Sequence, residues 1–161
     1  MKEVSRALDD EHRATLDLLG RAGQAFARMP PPGTEEAAEV SRVAASLAQF
    51  IDGHIGRHFG FEEEVLFPRL AEAGDGDLAD LLAEEHVTIR AVAAELLPLA
   101  RAAAAGTLDD AGFAALKRGA PELVERLDAH IQKETMSLLP SLDDLLDDDT
   151  DREIAFAYMS S

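Results

Sequence analysis

One short pattern of residues that can bind metal ions occurs twice in the chain. Each copy reads H-x3-E-x3-L-[FL]-P-x-L, and one further histidine precedes the first copy by 46 residues and the second by 44. Four imidazoles and two carboxylates are enough to hold a pair of metal ions. The side chains concerned are His12, His58, Glu62, His86, His130 and Glu134.

The length and composition bound the class of protein. The 161 residues, 47% hydrophobic and 29% charged, predict one domain over residues 1–161, with a core at about 5–146. A formal charge of −17 argues against nucleic acid or an anionic membrane as a partner. The lack of cysteine excludes disulfides and thiolate metal sites. Neither a signal peptide nor a membrane span is evident, so the cytoplasm is the expected location. A monomer is the expected state, because the sequence shows no second apolar face left unburied.

Hydrophobic residues at the helical period predict four long helices, at about residues 5–28, 34–68, 77–105 and 108–146. Thr34 is a predicted N-cap, Pro98 is predicted to bend its helix, and Pro121 is predicted to kink or locally break its helix. Residues 147–151 are expected to form a solvated acidic turn before a short segment from Ile154 to Met159. The fold class is therefore all-α, an antiparallel four-helix bundle built from two repeated helical hairpins, with a short C-terminal segment.

All six repeated side chains lie on apolar stripes that should face the bundle interior. A single histidine on such a stripe is most often an ordinary core residue. A buried glutamate is different, because an unpaired buried carboxylate costs several kcal/mol or takes up a proton. Two glutamates, each one helical turn from an inward histidine and in matching positions, therefore predict bound metal.

The ligand chemistry narrows the metal to iron, manganese or zinc, since imidazole and carboxylate are present without thiolate. The simplest arrangement gives each ion two imidazole nitrogens and lets Glu62 and Glu134 bridge the pair. These ligands do not fill two octahedra, so exchangeable water, hydroxide or oxo groups must fill the rest. Such a dinuclear site is open to a small molecule.

The order H…HxxxE…H…HxxxE, over about residues 5–146, resembles the hemerythrin-like (HHE cation-binding) family. The resemblance implies a non-haem di-iron centre, oxo- or hydroxo-bridged, with the six repeated residues as iron ligands. Oxygen-carrying members have a histidine where this chain has Arg90, and an aspartate five residues after the last histidine, where this chain has Glu134 at four. The chain is thus similar to a four-His, two-Glu subgroup, whose roles include iron or oxygen sensing, repair of iron centres, and peroxide or nitric oxide chemistry.

Three functions follow as hypotheses. The first is a catalase-like enzyme that detoxifies hydrogen peroxide, the second a sensor or reservoir for oxygen, nitric oxide or iron, and the third an iron donor to damaged centres. The expected partners are accordingly small molecules, with no protein partner specified.

Four residues outside the repeat have open roles. His54, with no counterpart in the second half, is expected to support the site by hydrogen bonding or to gate it, with helix packing and direct ligation as alternatives. Glu63 and Glu64 are expected to be solvated. Tyr158, the single tyrosine, is expected to anchor the terminal segment, with radical quenching or iron coordination as alternatives.

Overall fold

Five helices account for most of the computed structural model, which describes residues 1–161. They are α1 (Glu3–Ala25), α2 (residues 35–72), α3 (Gly76–Ala105), α4 (residues 110–145) and α5 (Asp148–Met159). Helix α2 consists of the α-helical segments Glu35–Gln49, Ile55–Phe61 and Phe67–Glu72, separated by π-helical turns at Phe50–His54 and Glu62–Leu66. Helix α4 consists of Asp110–Lys133, a π-helical turn at Glu134–Leu138, and Leu139–Leu145. No helix is both long enough and apolar enough to cross a bilayer.

The first four helices pack side by side into a bundle. Helix α1 contacts α2 and α4, and α3 contacts the same two helices from the other side. The end of α1 shares a core cluster with the start of α2, through Phe26 and Val43, whereas the start of α1 shares another with the end of α2, through Leu8 and Leu70. Neighbouring helices therefore run in opposite directions, and the predicted all-α bundle is confirmed.

The core is divided by a layer of polar side chains. One apolar cluster lies towards the α1–α2 loop and the other towards the chain termini. Along α1, His12 and Thr15 separate Leu8 of one cluster from Leu19 of the other, and all four side chains are buried. Because this polar layer is buried, its polar groups must find their partners inside the bundle.

The π-helical turns explain where the sequence stripes and the structure differ. In the turns at Glu62–Leu66 and Glu134–Leu138, the backbone N–H after the turn bonds five residues back, and Pro68 or Pro140 follows. A proline crowds the carbonyl four residues earlier, so a wider turn is favourable there. The turn at Phe50–His54 contains no proline and shifts the helical register by one residue. For that reason His54, four residues before the buried His58, is only partly buried.

Several local predictions can now be compared with the structure. Thr34 caps α2 as predicted, accepting a hydrogen bond from the Ala37 N–H at 3.2 Å. The chain remains helical through Pro98 and Pro121, so no break occurs at Pro121, and the bend at Pro98 and the kink at Pro121 stay predictions.

The predicted acidic turn is also wrong, because Asp147 caps a helix that already begins at Asp148. Within that helix Asp151 is buried, and it accepts hydrogen bonds from the backbone N–H groups of Glu3 and Val4. The carboxylate thereby ties α5 to the N-terminus of α1, where unpaired N–H groups favour a negative charge.

Candidate metal centre

The structure brings the six repeated side chains together inside the bundle. They form two groups of four, and within each group the candidate ligand atoms all lie within 4.8 Å of one another. Helices α1 and α2 supply the histidines of one group, and α3 and α4 those of the other, as the repeated hairpins require. The first group is His12, His58, Glu62 and Glu134, and the second is Glu62, His86, His130 and Glu134.

Each glutamate belongs to both groups and offers a different oxygen to each. Glu62 Oε1 lies 3.0 Å from His58 Nε2, whereas Glu62 Oε2 lies 3.2 Å from His86 Nε2. Glu134 makes the equivalent contacts, at 3.0 Å to the histidine of α1 and 2.7 Å to that of α4. Each carboxylate therefore links the two groups of donors through its two oxygens.

Several buried donor atoms of the cluster have no hydrogen-bond partner, as expected of atoms that bind metal. His12 is 3% exposed and both glutamates 0%, yet neither ring nitrogen of His12 and none of the four carboxylate oxygens has a hydrogen-bond partner. Donors about 2.1 Å from one ion and at right angles are about 3 Å apart. The observed 2.7–3.2 Å separations match that geometry. Buried polar atoms are normally paired, so this cluster is suited to metal ions.

The histidines and glutamates of the cluster shift one another's pKa values. Burial opposes protonation of His58, but the carboxylates around it, Glu62 first among them, raise its pKa to about 10. Burial also opposes protonation of His86, and the carboxylates of Glu134 and Glu62 raise its pKa to about 8. Burial would raise the pKa of Glu134, but the imidazoles of His12, His130 and His86 around its carboxylate hold that pKa well below its usual range. Cations entering the cluster would replace the imidazole protons.

Carboxylates outside the cluster lie beside the outer nitrogens of three histidines, and for two of the three the contact is a hydrogen bond. Glu11 lies 2.9 Å from His58 Nδ1, and Glu85 lies 2.8 Å from His130 Nδ1. Each of these glutamates immediately precedes a repeated histidine in the sequence, as Glu11-His12 and Glu85-His86. This repeated Glu-His pair is the sequence signal from which their role could have been predicted. An Nδ1–H donated to a carboxylate fixes the tautomer in which Nε2 can bind metal.

Glu63 is the third outer carboxylate, and the expectation that it is solvated is wrong. Its Oε1 lies 3.5 Å from His86 Nδ1, and its carboxylate forms two hydrogen bonds with Arg90, at 2.7 and 2.8 Å. The guanidinium of Arg90 lowers the pKa of Glu63. Glu64, one residue further along the helix, is exposed as expected.

Glu11 is also the centre of a network that reaches α5. It accepts hydrogen bonds from Arg57, at 2.6 Å, and from the hydroxyl of Tyr158. Burial would raise the pKa of Glu11, but hydrogen bonds with His58, Tyr158 and Arg57 lower it to about 2. Tyr158 is buried, as an anchor would be, but its hydroxyl oxygen lies 2.7 Å from His58 Nδ1.

His54 lies at the edge of the site. Its ring stacks against those of Phe50 and His58, and its Nε2 lies 3.5 Å from a Glu11 oxygen. A cavity of about 10 Å³ adjoins the cluster, and His12, His58, His130 and Glu134 contribute to its wall. Ten of its eleven lining residues are buried, and His54 alone is partly exposed. The role predicted for His54 stays a prediction.

Comparison with known families bears directly on this site. The hemerythrin HHE cation-binding domain matches residues 3–142. The chain belongs to that family. Hemerythrin domains bind metal cations, typically iron, and all six clustered side chains of this hemerythrin domain lie within the matched residues. Helix α5, including Tyr158, lies beyond their end. No curated protein matches the chain.

Proposed function

We propose that this hemerythrin domain holds two iron ions between its four histidines and two glutamates, and that it reacts with hydrogen peroxide as a catalase-like enzyme. The observation that carries the proposal is the division of Glu62 and Glu134 between two groups of donors. Imidazole and carboxylate without thiolate are compatible with iron. Bound iron would supply Lewis acidity and one-electron redox chemistry.

The number of donors supports a reactive centre rather than a closed structural one. With each glutamate counted at both ions, every ion would receive two nitrogens and two oxygens from the chain. An octahedral ion has positions for six donors, so a small molecule could reach both ions. The four-His, two-Glu ligand set predicted from the sequence is in keeping with this openness.

The cavity restricts what that small molecule can be. Its volume of about 10 Å³ is close to the minimum needed for one water molecule, so only a molecule of a few atoms suits it. Hydrogen peroxide has only two heavy atoms and is among the smallest oxidants, and its disproportionation converts two molecules into two waters and one dioxygen. No outside reductant is needed, because one peroxide molecule reduces the other.

The residues around the cluster have separate tasks in this proposal. Glu11 and Glu85 accept the Nδ1–H of their histidines and keep each Nε2 directed at the ions. Glu11 can also take up or return a proton, since it contacts His58 and Tyr158 together. His54, at the one partly exposed point of the cavity wall, would control access.

The test compares neighbouring glutamates of α2. Protein purified without added iron should contain two iron ions per chain, Glu62→Gln should lose both, and Glu64→Gln should keep both because its side chain faces solvent. An oxygen electrode should record dioxygen release from peroxide by the wild type and its loss in His58→Ala. Equal, slow release by wild type and His58→Ala would reject the catalase-like activity, and wild-type protein without iron would reject the centre itself.

A reversible sensor or reservoir for oxygen or nitric oxide is the second candidate, because each gas has two heavy atoms, as peroxide has, and the small cavity does not distinguish between them. It predicts a spectral change that appears on adding the gas, disappears on removing it, and leaves no product. Product formation with every gas and oxidant tried would remove this candidate.

A further inference from the structure

Tyr158 is the one readily oxidised aromatic side chain of this protein, and it is buried beside the candidate metal centre. The sequence contains one tyrosine and neither tryptophan nor cysteine. Tyr158 is 1% exposed, and its hydroxyl oxygen lies 2.7 Å from Nδ1 of His58. The other nitrogen of the same ring, Nε2, belongs to the first group of donors. One imidazole therefore separates the phenol from the cluster.

Anchoring α5 does not explain the hydroxyl group. The Tyr158 ring packs on Phe61, with the centroids 4.6 Å apart, and Arg57 lies 5.2 Å from its centroid. A phenylalanine could make the aromatic contact. The hydroxyl instead reaches two groups with distinct chemistry, since it donates its hydrogen to the Glu11 carboxylate and its oxygen faces His58. One partner can accept a proton, and the other leads to the metal centre.

The second half of the domain has no equivalent of this phenol. His130 Nδ1 contacts Glu85, just as His58 Nδ1 contacts Glu11, and Glu85 is paired with Lys133. The repeat therefore reproduces the carboxylate and its basic partner, but Tyr158 is added at one histidine only, by a helix that lies outside the repeat. Glu85 is thus held in place by His130 and Lys133 without any tyrosine, so holding Glu11 in place does not explain why Tyr158 is present.

We propose that Tyr158 is a one-electron donor to the iron pair, which rests on the proposed function. A bound pair of one ferrous and one ferric ion would have only one of the two electrons that the reduction of peroxide requires. Tyr158 supplies the other through His58, and its phenolic proton passes to the Glu11 carboxylate. One peroxide, one ferrous ion, the phenol, the carboxylate and two protons from solvent yield two waters, one ferric ion, a tyrosyl radical and protonated Glu11.

The test uses the iron-loaded protein reduced by one electron per iron pair and mixed with one peroxide molecule per pair. Electron paramagnetic resonance after rapid freezing should detect a tyrosyl radical, and mass spectrometry should find oxidation at Tyr158. Fully reduced protein is the internal control, because two ferrous ions supply both electrons and no radical should form.

Two variants decide whether this position matters. Tyr158→Phe keeps the ring and should abolish the radical. Tyr158→Phe combined with Phe156→Tyr keeps one tyrosine on the same helix but moves it to a side chain that is 71% exposed, and it should give no radical either. A radical of equal yield in either variant would overturn the proposal. So would its absence from wild-type protein that binds iron and consumes peroxide, and the proposed function would then stand. Protein that binds no iron, or does not react with peroxide, would refute both.

Discussion

Removing the Glu85 carboxylate should weaken metal binding without removing a ligand. Glu85 accepts a hydrogen bond from His130 Nδ1 at 2.8 Å and has a side chain that is 24% exposed. Burial would raise its pKa, but hydrogen bonds with Lys133 and His130 lower it, so the carboxylate is charged at neutral pH. In Glu85→Ala the imidazole loses both its orientation and the negative charge that makes Nε2 a better donor.

The size of this effect can be worked out from the contact. A hydrogen bond to a charged group contributes about 1.5–3 kcal/mol, and partial exposure of Glu85 places it towards the lower end. Loss of such an outer partner lowers metal affinity by about 10–100-fold, which corresponds to about 1.4–2.8 kcal/mol. Glu84→Ala is the matched control, because Glu84 is the preceding residue of the same helix and is exposed. It should bind metal like the wild type.

The assay is a competition titration with a chromogenic chelator at constant pH, with circular dichroism to verify that each variant is folded. The repeat provides an independent second comparison, Glu11→Ala against the exposed Asp10→Ala. Glu11 also binds Arg57 and Tyr158, so its loss should be at least as damaging. If Glu85→Ala and Glu84→Ala hold both ions equally tightly, the assignment of Glu85 as an orienting partner of His130 is wrong.

Three further results are expected. The raised pKa values of His58, about 10, and His86, about 8, favour protonated rings at pH 7 in protein without metal, so metal binding should release protons and strengthen as the pH rises from 7 towards 10. Calorimetry giving the same heat in buffers of different ionisation enthalpy would contradict this. His54→Ala should admit tert-butyl hydroperoxide, which the wild type excludes, at unchanged iron content, and unchanged size selectivity would disprove the gate. Asp151→Ala leaves two backbone N–H groups unpaired, which should lower the free energy of unfolding by about 2–4 kcal/mol and the melting temperature by roughly 5–10 °C. Asp149→Ala, at an exposed position of the same helix, should change the melting temperature little. Equal melting temperatures for the two variants would show that Asp151 does not secure α5.

The sequence by itself determined the helices and the six side chains of the cluster. The period of apolar residues along one helix is a local property, and so is the four-residue spacing of His58 and Glu62. The duplicated pattern added that two equivalent hairpins must face each other. Because a buried carboxylate is costly without a partner, these features pointed to a shared interior site before any contact was known.

Only the tertiary structure decided how those side chains are supported. The partners of the outer imidazole nitrogens come from neighbouring helices, and Tyr158 approaches from a helix 100 residues beyond His58. Such contacts depend on the rotation and height of one helix against another, and a π-helical turn alters both, as the partial exposure of His54 illustrates. Spacing along a single helix carries no information on that relation, which is why Glu63 was expected in solvent and is found beside His86.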